Sequence, residues 1–595
     1  MTDDDVAQMD RRIAQLDAEQ LPAGDHELHR SGHFAGLYAA ENVAGTEFVF
    51  GATFVALGAE IVDVLIGLAI GNLLAVLSYR FVTAPIATRT RLSVYTFLDR
   101  VDGGLTSKLY NGVNAVVFAV ISAAMITVSA TALNIVFGFP SQEEAYPTHW
   151  GFIVVAIAFG SVAVLVAAYG FNALAEFASI CAPWLMVMFV AGGVVLIPAL
   201  TAAATGSPQL GGLGELIDIG GSTVFTGQTP DGTAGITLLG IIGYAWAANS
   251  FAHVGLVDMS LFRYARKSWY GYMSAFGMFL GHYVAWIAAG FMGAAAAAIV
   301  STGIDVISPG TVAFEALGYA GLVVVVIGGW TTANANLYRS GLAGQAILPN
   351  QSRQRVTLII GVLVVIAALF PFIYRGYLDL VTYVGIVLVP IGGILFAEHH
   401  LLPRLGMTRF WARYRGVRNV PALVAWVTPV VLAFAVVALD LVDVYFLFVL
   451  AFLVAVVVYV VLARQMGAAE SYPDGVARDE LFAERVAVFH REQARQAPHV
   501  DTTDRRPLSQ VLLVVWIVAL VVIAVAAAAV LLVAPDLATY TDNRDRFFWI
   551  AGAGTVIYFV AAYWRLRRTK AHAQRAMAEQ DDRDETIATP AAGGS

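Results

Sequence analysis

The residues best suited to do chemistry lie in the stretch GGWTTANANLYRSGLAG that begins at Gly328. Thr331 and Thr332 are adjacent hydroxyls about 100° apart around a helix, and Asn334 and Asn336 add two amides within a turn and a half. Hard cations such as Na+ take oxygen ligands, by analogy with Ca2+ and Mg2+. Two hydroxyls with freed backbone carbonyls offer such oxygens without burying a full charge. Two further stretches mix glycine and polar residues into apolar sequence: ENVAGTEFVFGATFVALG carries Gly45, Thr46, Glu47 and Gly51, and GIIGYAWAANSFAHVGLVDMS carries Asn249, Ser250, His253, Gly255 and Asp258. Such stretches are read as interrupted helices whose unwound turns free carbonyls for a cation and amides for a substrate. Glu47, if buried, is a partner for an amine or a proton.

These groups need a scaffold, and the composition defines it. Of 595 residues, 58% are hydrophobic and 13% charged, about half the roughly 25% charge of an ordinary soluble domain. A water-soluble globular protein is excluded. The single cysteine, Cys181, forms no intrachain disulfide and no structural zinc cluster. The acidic start MTDDDVAQMDRRIAQLDAEQ lacks the basic and apolar pattern of a cleavable signal peptide. A net charge of −8 argues against a nucleic-acid partner. Apolar stretches long enough to cross a bilayer number about fourteen, starting near residues 43, 62, 110, 150, 177, 236, 273, 313, 355, 377, 420, 441, 508 and 547.

Charge sorting sets the expected orientation, because loops on the cytoplasmic side collect Lys and Arg. With both termini inside, the inner loops hold Arg80, Arg89, Arg91, Arg100 and Lys108, then Arg263, Arg266 and Lys267, then Arg339, Arg353 and Arg355, then Arg404, Arg409, Arg413, Arg415 and Arg418. The outer loops hold Glu144, Glu215, Asp218, Asp231, Asp305, Asp440 and Asp443. The expected divisions are an N-terminal cytoplasmic tail over 1–40, five helices over 41–200, an extracytoplasmic loop over 201–235 and five more helices over 236–402. Helices 11 and 12 follow over 419–463, then a cytoplasmic insert over 464–507, helices 13 and 14 over 508–566, and a tail of disordered composition over 567–595. In the insert, Leu481, Phe482, Val486 and Phe489 fall near one helix face, which predicts that it lies on the membrane or packs on the helices.

Interrupted helices at the first and sixth positions begin two groups of five, the signature of an inverted repeat. Four stretches strengthen this reading: IGNLLAVLSYRF with PIATRTRLSVYTFLDR, LFRYARKSWYGYMSAFGMFLGHYV, WTTANANLYRSGL, and VPIGGILFAEHHLLPR. Over about residues 41–465 the chain resembles the nucleobase-cation symporters of the purine and cytosine permease type. The resemblance implies an all-α polytopic membrane protein with the LeuT-like fold of two inverted five-helix repeats, broken helices 1 and 6, helices 11 and 12, and two extra C-terminal helices. It also implies a Na+ site on Thr331 and Thr332 with carbonyls near Gly45 and Phe48. The implied substrate site takes Asn114 from helix 3, Trp246, Asn249 and His253 from helix 6, and Asn334 and Asn336 from helix 8. Helix 3 departs from the family by carrying Asn114 and Val117 where the family has Gln and a stacking Trp, which leaves Phe118 as the nearby ring.

The function implied is import of a small polar substrate, a nucleobase or related heterocycle, across the cytoplasmic membrane by cation-coupled symport and alternating access. Na+ or H+ is the coupling ion, and Glu47 joins the substrate site. An amino-acid or cationic-amine symporter and a transporter-like sensor are the alternatives. No covalent chemistry and no covalently bound cofactor are expected, because the scattered histidines supply no nucleophile with its base.

Overall fold

A computed structural model describes the whole chain except residues 1–2, 17–19, 103, 143, 170, 349–350, 497–503, 505 and 589–595. Among the described residues all extended structure is confined to isolated bridges, and everything else ordered is helical. Among the described residues eleven helices are long and apolar enough to cross a membrane. The protein is a multi-pass membrane protein.

The difference from fourteen expected spans has a physical cause at three positions. The first helix is split into Ser31–Asn42 and Thr46–Ala56. The sixth is split into Leu238–Ala247, Ser250–His253 and Met259–Phe262. The ninth, Arg353–Ala367, has 15 residues and opens on Arg353 and Arg355. The uninterrupted spans are the second helix, Ile61–Thr90, the third, Leu105–Val136, the fourth, Trp150–Tyr169, the seventh, Ser268–Val300, the eighth, Tyr319–Ile347, and the tenth, Tyr377–Arg404. The fifth helix runs Phe171–Thr205. The eleventh and twelfth are Val420–Ala438 and Val444–Ala468, and the last two are Pro507–Leu532 and Leu537–Ala588.

Side-chain caps begin several of these helices, as a donor-rich helix end in a membrane protein requires. Glu60 accepts from the Val62 and Asp63 amides at 3.1 and 3.2 Å, and Thr237 accepts from the Gly240 amide at 3.2 Å. The third and eighth helices lie together along the centre. Ser122 Oγ donates to the Ala333 carbonyl at 3.1 Å and Ser340 Oγ to the Ala115 carbonyl at 2.6 Å, the hydroxyl glue of membrane helix pairs. The last two helices pack on the fifth, where Trp184 Nε1 donates to Thr555 Oγ1 at 3.0 Å and Tyr558 donates to the Ile180 carbonyl at 2.6 Å.

Helices occupy parts of three segments expected as tails or a loop. The stretch expected as a polar tail over 1–40 contains the helix Asp3–Gln15 and the inner half of the first helix from Ser31; SGHFAGLYAAEN is too polar for a hydropathy scan to register. The outer loop over 201–235 holds a short helix, Leu213–Ile219. The segment from 567 expected to be disordered continues the last helix to Ala588; residues 589–595 lie outside the described residues. The insert forms a helix, Pro473–Gln496. Its Phe482, Val486 and Phe489 pack against Ile13 and Leu21, and Arg485 pairs with Asp10.

Candidate binding site between the broken helices

Both interruptions fall at one place in the fold. In the first helix Val43 leaves helical geometry (φ −111°, ψ 82°) and Gly45 restarts the helix. In the sixth, the turns after Ala247 are irregular, and Leu256, with φ 64°, takes a left-handed conformation rare for a branched side chain. The second helix supports this break through a π-turn, Tyr79–Thr83, a feature frequent at functional sites. Thr83 Oγ1 donates to the His253 carbonyl there.

The two breaks, with helices 3, 7, 8 and 10, enclose a cavity of about 80 Å3. Glu47, Asn249, His253, Thr332 and Asn336, expected at the site, all line it. Glu47 is 1% exposed; it accepts from Trp286 Nε1 and, at 3.2 Å, from Thr46 Oγ1. His282 stacks on Trp286 with ring centroids 4.6 Å apart, and its Nδ1 meets Asn249 Nδ2 at 3.1 Å. His253 Nδ1 donates to the Ala75 carbonyl at 3.0 Å, which leaves Nε2 facing Asp258 Oδ2 at 3.9 Å. Asn336 Nδ2 donates to the Thr332 carbonyl at 2.8 Å.

Seven expected residues lie outside the cavity wall. Trp246 turns away: its Nε1 donates to Ser78 Oγ at 2.9 Å and its ring stands edge-on to Phe448. Asn114 and Asn334 are fully buried, each donating one turn back to a carbonyl, of Tyr110 and Trp330, at 2.9 Å. Both leave their amide oxygens without a hydrogen-bond partner. Phe118 lies behind the wall, its ring 6.4 Å from that of Phe251, which does line the cavity. Phe48 packs its ring on Phe189 at 4.5 Å. Thr331 Oγ1 donates to the Ile327 and Gly328 carbonyls, both at 3.1 Å, and Thr332 Oγ1 to the Gly328 carbonyl at 3.0 Å. Both hydroxyls keep their lone pairs. Gly45 sits against the same turn: a Cβ added at Gly328 would lie 2.6 Å from the Gly45 nitrogen.

In the wall of the same cavity three charged groups meet. Arg339 Nη2 lies 2.5 Å from Glu41 Oε1 and 3.5 Å from Asp258 Oδ1, with the guanidinium 5.8 Å from the centre of the Phe118 ring. Arg339, expected in an inner loop, is 8% exposed, and Asp258 is 3% exposed. Sequence reasoning left Glu41, Arg339, Thr46, His282 and Tyr377 out of the site. The signal for Arg339 was its place within LYRSGLAG, where small residues continue a buried helix face beyond the basic residue. Glu41 and Tyr377 carried no comparable signal.

No protein-family model matches the chain, and no curated protein sequence does. Solved structures are similar to it. The nucleobase-cation-symport-1 family transporter Mhp1, in a closed conformation with bromovinylhydantoin bound, superposes with a TM-score of 0.58 at 16% identity, covering 79% of this chain and 99% of that one. Mhp1 in an inward-facing conformation gives a TM-score of 0.57 at 16% identity, covering 76% of this chain and 94% of that one. The fold is therefore the LeuT-like fold of two inverted five-helix repeats with broken first and sixth helices.

Proposed function

We propose that this protein is a cation-coupled secondary active symporter that carries a small polar substrate by alternating access. One observation supports this most: Glu47, Glu41 and Asp258 face a single cavity beside one guanidinium, Arg339. Three carboxylates against one arginine in a water-poor interior demand a compensating positive charge. A proton, Na+ or a cationic substrate supplies it. Thr331 and Thr332 with the backbone around Gly45 are the proposed Na+ ligands, and Glu47 the proposed proton or amine partner.

The proposed cargo is a nucleobase or related heterocycle. The amides of Asn249 and Asn336 offer edge hydrogen bonds, and Phe50, Phe251 and Tyr377 offer flat apolar surface. The resemblance to the cytosine-permease type supports the same class. A cationic amine is the second reading, favoured by the excess of carboxylates. At about 80 Å3 the cavity holds a few waters and falls well below the 300 Å3 or more of typical ligand sites, so a heterocycle needs the wall to move before it fits.

A thermal-shift panel of nucleobases, hydantoins, amino acids and amines, with and without Na+, identifies ligands of the folded state. Counterflow in proteoliposomes then tests exchange of each ligand found. Exchange by pure protein supports the symporter. Binding without exchange of any ligand overturns it in favour of a sensor.

A further inference from the structure

A second cavity, of about 760 Å3, opens on the face that carries the basic loops, between residues 22–26, the inner ends of helices 2 and 10, and the insert helix Pro473–Gln496. Two segments more than 450 positions apart meet in its wall, one carrying His26 and Glu27 and the other His490. One ligating atom of each of these three residues lies within 4.8 Å of the others.

The hydrogen bonding of His490 separates this arrangement from chance proximity. Its Nε2 lies 2.8 Å from the Pro22 carbonyl. A carbonyl only accepts, so Nε2 carries the ring proton and the lone pair is on Nδ1. That Nδ1 is buried and has no hydrogen-bond partner. An imidazole that donates one nitrogen to a backbone carbonyl and holds the other free is oriented as a metal-ligating histidine is. The His26 ring is tilted 53° from the His490 ring with centroids 5.7 Å apart, so the rings do not stack face to face. Both Nδ1 atoms converge on the space beside Gly24, where an added Cβ would lie 2.8 Å from His490 Nδ1 and 2.9 Å from His26 Nδ1. Glu27 is anchored as well: its Oε2 accepts from the Gly24 amide at 2.7 Å, leaving Oε1 free to ligate. The neighbouring Asp25 is taken by Arg91 at 2.7 Å.

We propose that His26, Glu27 and His490 form a transition-metal site of the Zn2+ type that clamps the N-terminal segment to the insert helix. Two imidazoles and one carboxylate are a recurrent zinc donor set, and three protein ligands leave the fourth tetrahedral position for water from the adjoining cavity. Imidazole donors select this metal class over Ca2+ and Mg2+. The segments are already held together by Phe482, Val486 and Phe489 on Ile13 and Leu21, so binding organises side chains only. Glu27 lies four residues before Ser31, the start of the inner half of helix 1, and that half carries Glu41, the partner of Arg339. A bound ion therefore restrains the inner half of helix 1. This last consequence rests on the proposed transport function; the metal site does not.

The test uses the full chain without a polyhistidine tag, stripped with chelator and titrated with Co2+, whose tetrahedral complexes absorb in the visible. One equivalent should bind, Zn2+ should displace it, and acidification should weaken binding as protons compete for the imidazoles. His490→Ala and His26→Ala should each weaken binding about tenfold or more, while Glu27→Gln, which keeps the carbonyl oxygen that faces Gly24, should weaken it with an unchanged melting temperature in the absence of metal. Absence of binding, or binding unaltered in His490→Ala and Glu27→Gln, overturns the site. In proteoliposomes, Zn2+ on the inner face should slow exchange by the unaltered protein and leave His490→Ala unaffected. Equal inhibition of both overturns the clamp. Failure of all exchange bears on the transport reading alone, because the Co2+ titration does not depend on it.

Discussion

The Arg339 guanidinium lies 2.5 Å from Glu41 Oε1, joining the last third of one long helix to the inner half of a broken one. The same guanidinium reaches Asp258 at 3.5 Å on the interrupted sixth helix. Removing the arginine leaves the buried Asp258 and the partly exposed Glu41 without their cation; deleting one partner of a buried pair costs about 3–5 kcal/mol. Arg339→Ala should lower the thermal unfolding temperature strongly. Arg339→Lys should recover part of the loss, since an ammonium neutralises charge but lacks the planar fork that spans two carboxylates. Equal stability of Arg339→Ala and the unaltered protein in detergent would refute the pairing.

Glu47 holds its carboxylate between Trp286 Nε1 and Thr46 Oγ1. Glu47→Gln keeps an oxygen for the indole and removes the charge. The expected outcome is uptake that no longer responds to an imposed pH gradient, with substrate exchange at equal concentrations intact. Retention of proton-driven uptake assigns the coupling elsewhere.

Thr331 and Thr332 are separated by their surroundings. Both donate to carbonyls of their own helix, but Thr332 reaches the cavity and Thr331 does not. Thr332→Ala should reduce the Na+ stimulation of substrate binding about tenfold or more, and Thr331→Ala should reduce it less. The measurement is ligand-induced stabilisation titrated against Na+; the reverse order would place the cation on the Thr331 side of the helix, behind the cavity wall.

Trp246 and Phe251 test which side chains of the sixth helix meet the substrate. Its indole bonds to Ser78 and packs on Phe448, so Trp246→Phe should cost about 1 kcal/mol for the lost hydrogen bond and leave substrate affinity unchanged. Phe251→Ala, at the cavity wall, should weaken binding of an aromatic substrate severalfold. Equilibrium binding of one ligand to both variants decides it.

The broken first and sixth helices were legible because glycines and polar residues in the stretches around Glu47, Asn249 and His253 disturb otherwise apolar sequence, and backbone interruption follows from that local chemistry. The rotation of each side chain about its helix was not. Asn334 and Asn336 are two positions apart, about 200° around a helix, so only one of them can face the cavity, and nothing local says which. Trp246 and Asn249, three positions apart, would share a face of a regular helix, but the break after Ala247 parts them, one toward helices 2 and 12 and the other toward His282. Arg339 was read as a loop residue because hydropathy cannot see two acidic partners that arrive from residues 41 and 258. Long-range charge pairing is written in the packing and not in any window of sequence.

The approach of helix 1 to helix 8 makes a last prediction. Gly328 faces the unwound turn of the first helix so closely that an added Cβ would lie 2.6 Å from the Gly45 nitrogen and 3.0 Å from the Ala44 carbonyl carbon. Both are backbone atoms, which no rotamer change can move aside. Gly328→Ala must therefore push the break of helix 1 away from Thr331 and Thr332, at a cost of about 1–3 kcal/mol typical of overpacking. The control is Gly112→Ala on helix 3, where the nearest atom is Ile347 Cδ1 at 3.7 Å and the better helix propensity of alanine makes the change neutral or favourable by up to about 1 kcal/mol. Gly328→Ala should lower the unfolding temperature and weaken Na+ stimulation together, while Gly112→Ala should alter neither downward. If Gly328→Ala destabilises the protein yet binds Na+ unchanged, the helix 1 backbone supplies no cation ligand and the two threonine hydroxyls must act without it.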